Sequence, residues 1–226
     1  MLNPLDRPIW TALAGRHARF AVGSPLALRY RSDVEPFVAA RDLSQEAADA
    51  VTHLIEPDET VLMIESRRPT VPAGTIIEGD RLGVQMVADQ AGFSADLPAG
   101  AEPLGNADSA EMIALAELTR PGPFRARTHT MSQFFGIRRE GRLVAMAGER
   151  LQVPGFSEVS GVCSHPDWRG HGFARALSIF IAARIVARGE TPFLHSWADN
   201  MPAIRLYQGL GFVIRCEMPT LALRRA

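Results

Sequence analysis

The chain has 226 residues, of which 46% are hydrophobic, enough for a sizeable core in one large domain or two small ones. Its 24 basic and 25 acidic residues nearly cancel, and without a basic run or an aromatic-basic stripe a nucleic-acid partner has no support. No apolar run is long enough for a signal peptide or a membrane span, and the two cysteines, Cys163 and Cys216, lie too far apart for a disulfide or metal pattern, so the expectation is a cytoplasmic protein.

The first hundred residues mix both periodicities. Helices are expected near Ile9 to His17 and Gln45 to Leu54, with strands near Leu26 to Tyr30, Thr60 to Glu65 and Leu82 to Ala88. The run Arg67 to Gly74 reads as a loop and Leu97 to Gly105 as a linker, rich in proline and glycine. A division follows, with an N-terminal α/β region over 1–105 and a second domain over 106–226.

In the second region a helix over Met112 to Phe124 runs into Pro121-Gly122-Pro123. Phe134 to Glu149 reads as two strands around a Glu140-Gly141 hairpin turn. Glu158-Val159-Ser160-Gly161-Val162-Cys163-Ser164 is a strand of small and β-branched residues closed by His165-Pro166-Asp167. Downstream, Ala174, Leu177, Ile181 and Ile185 recur at helical spacing until Gly189 stops them.

Between that strand and that helix lies Arg169-Gly170-His171-Gly172-Phe173-Ala174. Its glycines let backbone approach a ligand, the free amides of the first helical turn point at it, and Arg169 and Arg175 add positive charge, so a pyrophosphate suits the loop. A Walker loop is excluded, because no Gly-Lys-Ser/Thr follows. The dinucleotide fingerprint matches at Gly170 and Gly172 but has Arg175 in place of its third glycine, with Asp199 ending the next strand, Phe193 to Trp197.

The stretch Asn200 to Phe212 decides between them. Asp199 or Asn200 caps a short helix, Pro202 fits its first turn, and Ala203, Leu206, Tyr207 and Leu210 share a face before Gly211. This pair of motifs resembles the GNAT superfamily of acetyl-coenzyme A-dependent N-acyltransferases, in a bacterial-type subgroup. The family loop Arg/Gln-x-x-Gly-x-Gly/Ala is matched by Arg169, Gly172 and Ala174. Its next motif, Asn-x-x-Ala-x-x-Leu-Tyr-x-x-Leu-Gly-Phe, is matched at every fixed position from Asn200 to Phe212. The resemblance covers roughly the last 120 residues, an ordinary domain size.

The resemblance implies an α/β fold with a central, mixed, twisted sheet, splayed strands and helices on both faces. Residues 1–105 would then be a diverged GNAT-like half or a cap over the acceptor cleft. It implies acetyl transfer from acetyl-CoA to a primary amine by direct attack in a ternary complex, without a metal. The acceptor would be a small molecule or a protein, and a sheet edge of this family can pair two chains into a homodimer. Val162, Cys163 and Ser164 would pair with the pantetheine arm like an added strand, and Arg169, Gly170, His171, Gly172, Phe173, Ala174 and Arg175 would hold the pyrophosphate. Asn200 would make a polar cofactor contact, and Tyr207 would be the general acid.

A phenol of pKa about 10 stays protonated at neutral pH, whereas a lysine-like amine near ~10.4 must lose a proton before attack. Two carboxylates compete as the base. Glu158 begins the strand entering the loop, and alternation puts it on the face of Ser160 and Val162, about 13 Å from the latter. Glu149 ends the preceding strand run, and either residue could instead be a charged strand end.

Cys163 beside His165 has no third partner, so a small core thiol is expected there rather than a nucleophile. His165, His171 and His195 lack the spacing of a metal site. Trp168 and Trp197 are assigned to packing. The alternative from another class is a non-catalytic acyl-CoA sensor.

Overall fold

The computed structural model describes residues 3–88 and 92–226. Eleven strands and five α-helices follow one another among these residues. The N-terminal part comprises α1 (Pro8–Leu13), β1 (Ala21–Gly23), β2 (Ala27–Tyr30), β3 (Val38–Ala40), α2 (Gln45–Thr52), β4 (Val61–Ile64), β5 (Thr75–Ala88) and β6 (Ala101–Leu104). Then come α3 (Ser109–Thr119), β7 (Phe134–Arg139), β8 (Arg142–Val153), β9 (Phe156–Ser164), α4 (Phe173–Val186), β10 (Thr191–Trp197), α5 (Met201–Gln208) and β11 (Phe212–Arg225).

A three-stranded sheet runs β1-β2-β3, and an eight-stranded sheet runs β4-β11-β5-β10-β9-β8-β7-β6. The second is mixed, because β10 pairs with β9 in parallel while its other neighbours are antiparallel. Along β8, Ala145 and Ala147 pack with Leu177, Phe180 and Ile181 of α4, while Met146 packs with Met112 and Leu115 of α3. Strand side chains alternate between faces, so α4 and α3 cover opposite sides. On β10 the same alternation sends Leu194 to the α4 side and Phe193 to a core shared with Ile9 and Leu13 of α1. The sheet therefore has helices on both faces, as expected.

Several boundaries differ from the sequence reading. The first helix stops at Leu13, and His17 instead turns inward, where its Nδ1 lies 2.8 Å from the Tyr30 hydroxyl. The expected linker over 97–105 contains β6, which pairs with β7 at the sheet margin, the one position where Pro103 costs no ladder bond. β5 begins at Thr75, seven residues before the expected Leu82, because its first half is mostly exposed and carries no alternation. The division near residue 105 does not separate two sheets, since β4 and β5 lie among the C-terminal strands and β5 sits between β10 and β11.

The hairpin is as read: Glu140 and Gly141 have φ of 53° and 77°, the left-handed pair of a type I′ turn. Among the described residues no helix is long and apolar enough to cross a membrane.

Candidate active site

The site begins where two strands part. β9 and β10 pair only at Phe156, Ser157 and Glu158 against Thr191, Pro192 and Phe193. Beyond them β10 stays bound to β5, and β9 stays bound to β8 as far as Ser164. The edge of β9 that faces the gap is thus without a strand partner from Val159 on, and such an edge offers amides and carbonyls to a ligand.

Gly161 sharpens the opening. It has φ 63°, and the register against β8 slips there, with Met146 opposite Cys163 but Gly148 opposite Ser160. This extra residue is a β-bulge. It overturns the alternation expected from Glu158, because Val162 packs in the cluster of Val159 and α4 rather than on the face of Glu158.

A cavity of about 490 Å³ lies along the end of β9. It is lined by Val162, Cys163, Ser164, Arg169, Gly170, Gly172, Phe173, Ala174, Arg175, Asn200 and Tyr207, among others, so the structure brings nearly all the expected cofactor residues together. His171 is the exception: it is exposed and lies against Trp168 and Phe173, with its Nδ1 3.1 Å from the Arg169 carbonyl, and does not line the cavity.

Gly170 and Gly172 have φ of 81° and 78°, and a side chain at either would meet open space, so backbone strain rather than crowding selects glycine. Among the described residues the amides of 170–175 donate to no carbonyl or side chain, and Arg169 and Arg175 have no carboxylate partner. Six unpaired donors at a helix start, flanked by two cations, fit a diphosphate. Asn200 caps α5 by accepting from the Ala203 amide at 3.3 Å. Tyr207, 9% exposed, has its phenol pushed above the usual range by burial, so it stays protonated.

A second cavity, about 160 Å³, adjoins the first and shares with it Arg120, Pro121, Val162, Asn200, Ala203 and Tyr207. Phe37, Leu62, Ile64 and Gly83 reach it from the N-terminal part, Trp197 and Met218 from β10 and β11, and Arg150 and His195 close its base. Trp197, expected only to pack, therefore faces the cavity, beneath the Arg81 guanidinium at 4.0 Å.

The two candidate bases part company here. Glu158 is fully buried and lines neither cavity, but it bonds to both residues that close the second. Arg150 Nε and Nη2 donate to it at 3.0 and 2.9 Å, the Leu151 amide at 3.1 Å, and His195 Nδ1 lies 2.8 Å away. The Gln85 amide nitrogen, which donates to the Leu5 carbonyl, lies 3.0 Å from His195 Nε2 and can only donate there. His195 Nδ1 donates to the Glu158 carboxylate. Although burial opposes ionisation, Arg150 and His195 hold the Glu158 carboxyl well below the usual carboxylate range.

Glu149 is placed elsewhere: it is buried, paired with Arg188 at 3.1 Å, and borders neither cavity. The expectation of Glu149 beside the reacting groups therefore fails, because the bulged register of β8 against β9 turns it toward the loop after α4.

Cys163 is buried beside α3 and its thiol is pushed up to about 11 by burial, the state of a core thiol. Among the described residues no group of His, Cys, Asp or Glu is arranged to hold a metal. His195, Arg150 and Arg120 carried no sequence motif; each gains its place from strand pairing or from a helix end.

The model of the family described as FR47-like protein matches residues 134–218. A comparison with curated proteins gives no match. Among solved structures, a GNAT-family protein from Novosphingobium aromaticivorans DSM 12444, assigned as an acetyltransferase, is 40% identical over 100% of both chains, with a TM-score of 0.93. A GCN5-related N-acetyltransferase from Kribbella flavida shares the fold at 17% identity, covering 96% of this chain and 95% of its own, with a TM-score of 0.65. A GCN5-related N-acetyltransferase-like protein from Streptococcus suis 89/1591 does so at 15% identity, over 95% and 92%, with a TM-score of 0.60. The splayed strands, the glycine loop and this whole-chain similarity lead to one assignment: the chain belongs to the GNAT family of acetyltransferases.

Proposed function

We propose that the protein transfers the acetyl group of acetyl-CoA to a primary amine held in the second cavity, by direct attack in a ternary complex. The observation that carries this reading is the junction of the two cavities at Val162, Asn200, Ala203 and Tyr207. A ligand in one meets a ligand in the other beside a protonated phenol.

When bound, acetyl-CoA supplies a thioester whose carbonyl carbon accepts the amine while its carbon–sulfur bond breaks. The amides of 170–175, with Arg169 and Arg175, hold the diphosphate, and the free edge at Val162, Cys163 and Ser164 receives the pantetheine amides. Asn200 fixes the start of α5 and so the position of Tyr207, which gives its proton to the departing sulfur.

The amine's proton goes to His195 at Nε2, in exchange for the bond from Gln85, and Glu158 behind Nδ1 stabilises the imidazolium. Glu158 thus acts through His195, as its positioning residue. Residues 1–105 serve as the acceptor cap, because Phe37, Leu62 and Ile64 form one wall of the second cavity.

Thermal unfolding with acetyl-CoA, free coenzyme A and NAD tests the cofactor reading. A ligand at ~100 times its dissociation constant stabilises by about 2.7 kcal/mol, or roughly 5 to 10 °C for a chain this size. The expected shift is selective for the two coenzyme A species, and a response to NAD alone overturns the reading. In turnover, Tyr207→Phe lowers kcat by at least tenfold while leaving the acetyl-CoA dissociation constant within about twofold, since the hydroxyl acts on the leaving sulfur. Unchanged kcat removes Tyr207 from the acid role.

A further inference from the structure

Resting on the transferase reading above, we propose that the second cavity selects amines that also carry a carboxylate next to an apolar body, with aliphatic and aromatic α-amino acids as the class, and that Arg120 is the carboxylate anchor.

The lining is apolar at Phe37, Leu62, Ile64, Trp197 and Met218, and among the described residues it contains no Asp or Glu. A polyamine, an aminoglycoside or a lysine-rich segment brings further ammonium groups, and these find no counter-charge here. At about 160 Å³ the second cavity is much smaller than the first, about 490 Å³.

Two guanidinium groups border the space, and they are not equivalent. Arg150 is already neutralised by the bidentate contact from Glu158 and lies 4.9 Å over the Phe37 ring. Arg120 has no ion pair and no side-chain hydrogen bond among the described residues, although it lines both cavities. The positive charge left over for a ligand is therefore that of Arg120.

Its backbone makes the same point. Arg120 is the C-cap of α3 in the left-handed region, with φ 51° and ψ 56°, and its amide donates to the Ala116 carbonyl before Pro121. Glycine is the usual residue for such a cap, and a non-glycine residue there costs on the order of 1 kcal/mol. Arg120, exposed and lining the cavity, thus carries an unpaired cation on a strained backbone, which fits a ligand-binding role. A guanidinium fork matches a carboxylate in geometry as well as charge. With its carboxylate at Arg120, an α-amino acid places its amine one carbon away, toward the junction at Tyr207, and its side chain among the apolar residues.

The test uses the full chain with saturating acetyl-CoA and follows thiol release with L-leucine, L-phenylalanine, leucinamide, isopentylamine and spermidine as acceptors. The expected result is a kcat/KM for the two amino acids at least tenfold above that of leucinamide and isopentylamine, with spermidine poorer still. Arg120→Gly suits the left-handed backbone and so keeps the fold; it should raise the leucine KM by at least tenfold and collapse the preference for leucine over leucinamide toward one. Arg120→Lys should restore part of that preference.

Equal or better use of leucinamide, isopentylamine or spermidine overturns the proposal and leaves the transferase reading standing. So does an Arg120→Gly variant that weakens acetyl-CoA binding but leaves the leucine KM alone, which would assign Arg120 to the cofactor. If acetyl-CoA neither stabilises the chain nor releases thiol with any amine, the transferase reading fails and this proposal falls with it.

Discussion

At the scale of single residues the strongest electrostatic commitment is the buried trio of Glu158, Arg150 and His195. Both charged partners are almost wholly removed from water, so their attraction mainly repays desolvation, and the large effect comes from breaking the pair. Glu158→Gln leaves the Arg150 guanidinium buried without its counter-ion and should cost about 3 kcal/mol or more by urea unfolding. Glu149→Gln, whose partner Arg188 is 38% exposed, should cost about 1 kcal/mol or less. Because Glu158 is held below its ordinary value of 4.5, its contribution is complete above that pH and is lost only as pH falls toward the depressed folded value. The gap between wild type and Glu158→Gln should therefore narrow below about pH 4. Equal losses for the two variants would show that the trio is not the tighter pair. Tyr207 and Asn200 were legible in the sequence because their motif is contiguous and helical. His195 was not, since it meets Glu158 across 37 positions of chain through a parallel register that no local pattern records.

At the scale of elements, the glycine loop and the hairpin could be read from sequence because each is a local backbone requirement. The bulge in β9 could not: one inserted residue reverses the faces of a strand without altering its composition. Gly161 makes the difference testable. A Cβ there would stand 2.7 Å from a ring carbon of Phe134, on a backbone at φ 63°, so Gly161→Ala meets strain and overlap together. Gly155 lies in the turn between β8 and β9 at φ 79°, and a Cβ added to it would have nothing within 4 Å, so Gly155→Ala meets strain alone. Gly155→Ala should cost about 1 kcal/mol and leave acetyl-CoA affinity unchanged. Gly161→Ala should cost at least ~2 kcal/mol and weaken acetyl-CoA at least tenfold, because relieving the overlap moves the free edge at Val162 and Cys163. Matching losses of stability and affinity in the two variants would remove the bulge from any part in shaping the cofactor cleft.

At the scale of the whole molecule, the N-terminal part is bound into the sheet and into a buried polar layer. β5 was legible only from Leu82, since its exposed first half offers no hydrophobic alternation, and its insertion between β10 and β11 is a long-range pairing that sequence periodicity does not encode. Where the two parts meet, burial pushes Glu35 up to about 8; Arg150 and Arg125 oppose the shift, and Glu158 adds to it. Burial likewise lowers His17 to about 4, aided by Arg19 and Arg16 and opposed by Glu158. The two act in opposite senses. Between pH 4.5 and 8 the folded Glu35 keeps a proton that the unfolded chain releases, so its share of stability falls with rising pH by about 1.4 kcal/mol per unit. Between 4 and 6.5 the unfolded His17 binds a proton that the folded chain refuses, so its share rises with pH by a similar amount. Glu65, raised by burial, and His129, lowered by burial, follow Glu35 and His17 respectively. The slopes cancel from about pH 4.5 to 6.5, and beyond that only the Glu35 loss remains. The urea midpoint should thus hold a plateau over that range and decline toward pH 8, and Glu35→Gln should abolish the decline while leaving a rise up to about pH 6.5. A decline that persists in Glu35→Gln would place its source in another group and take Glu35 out of the junction's pH response.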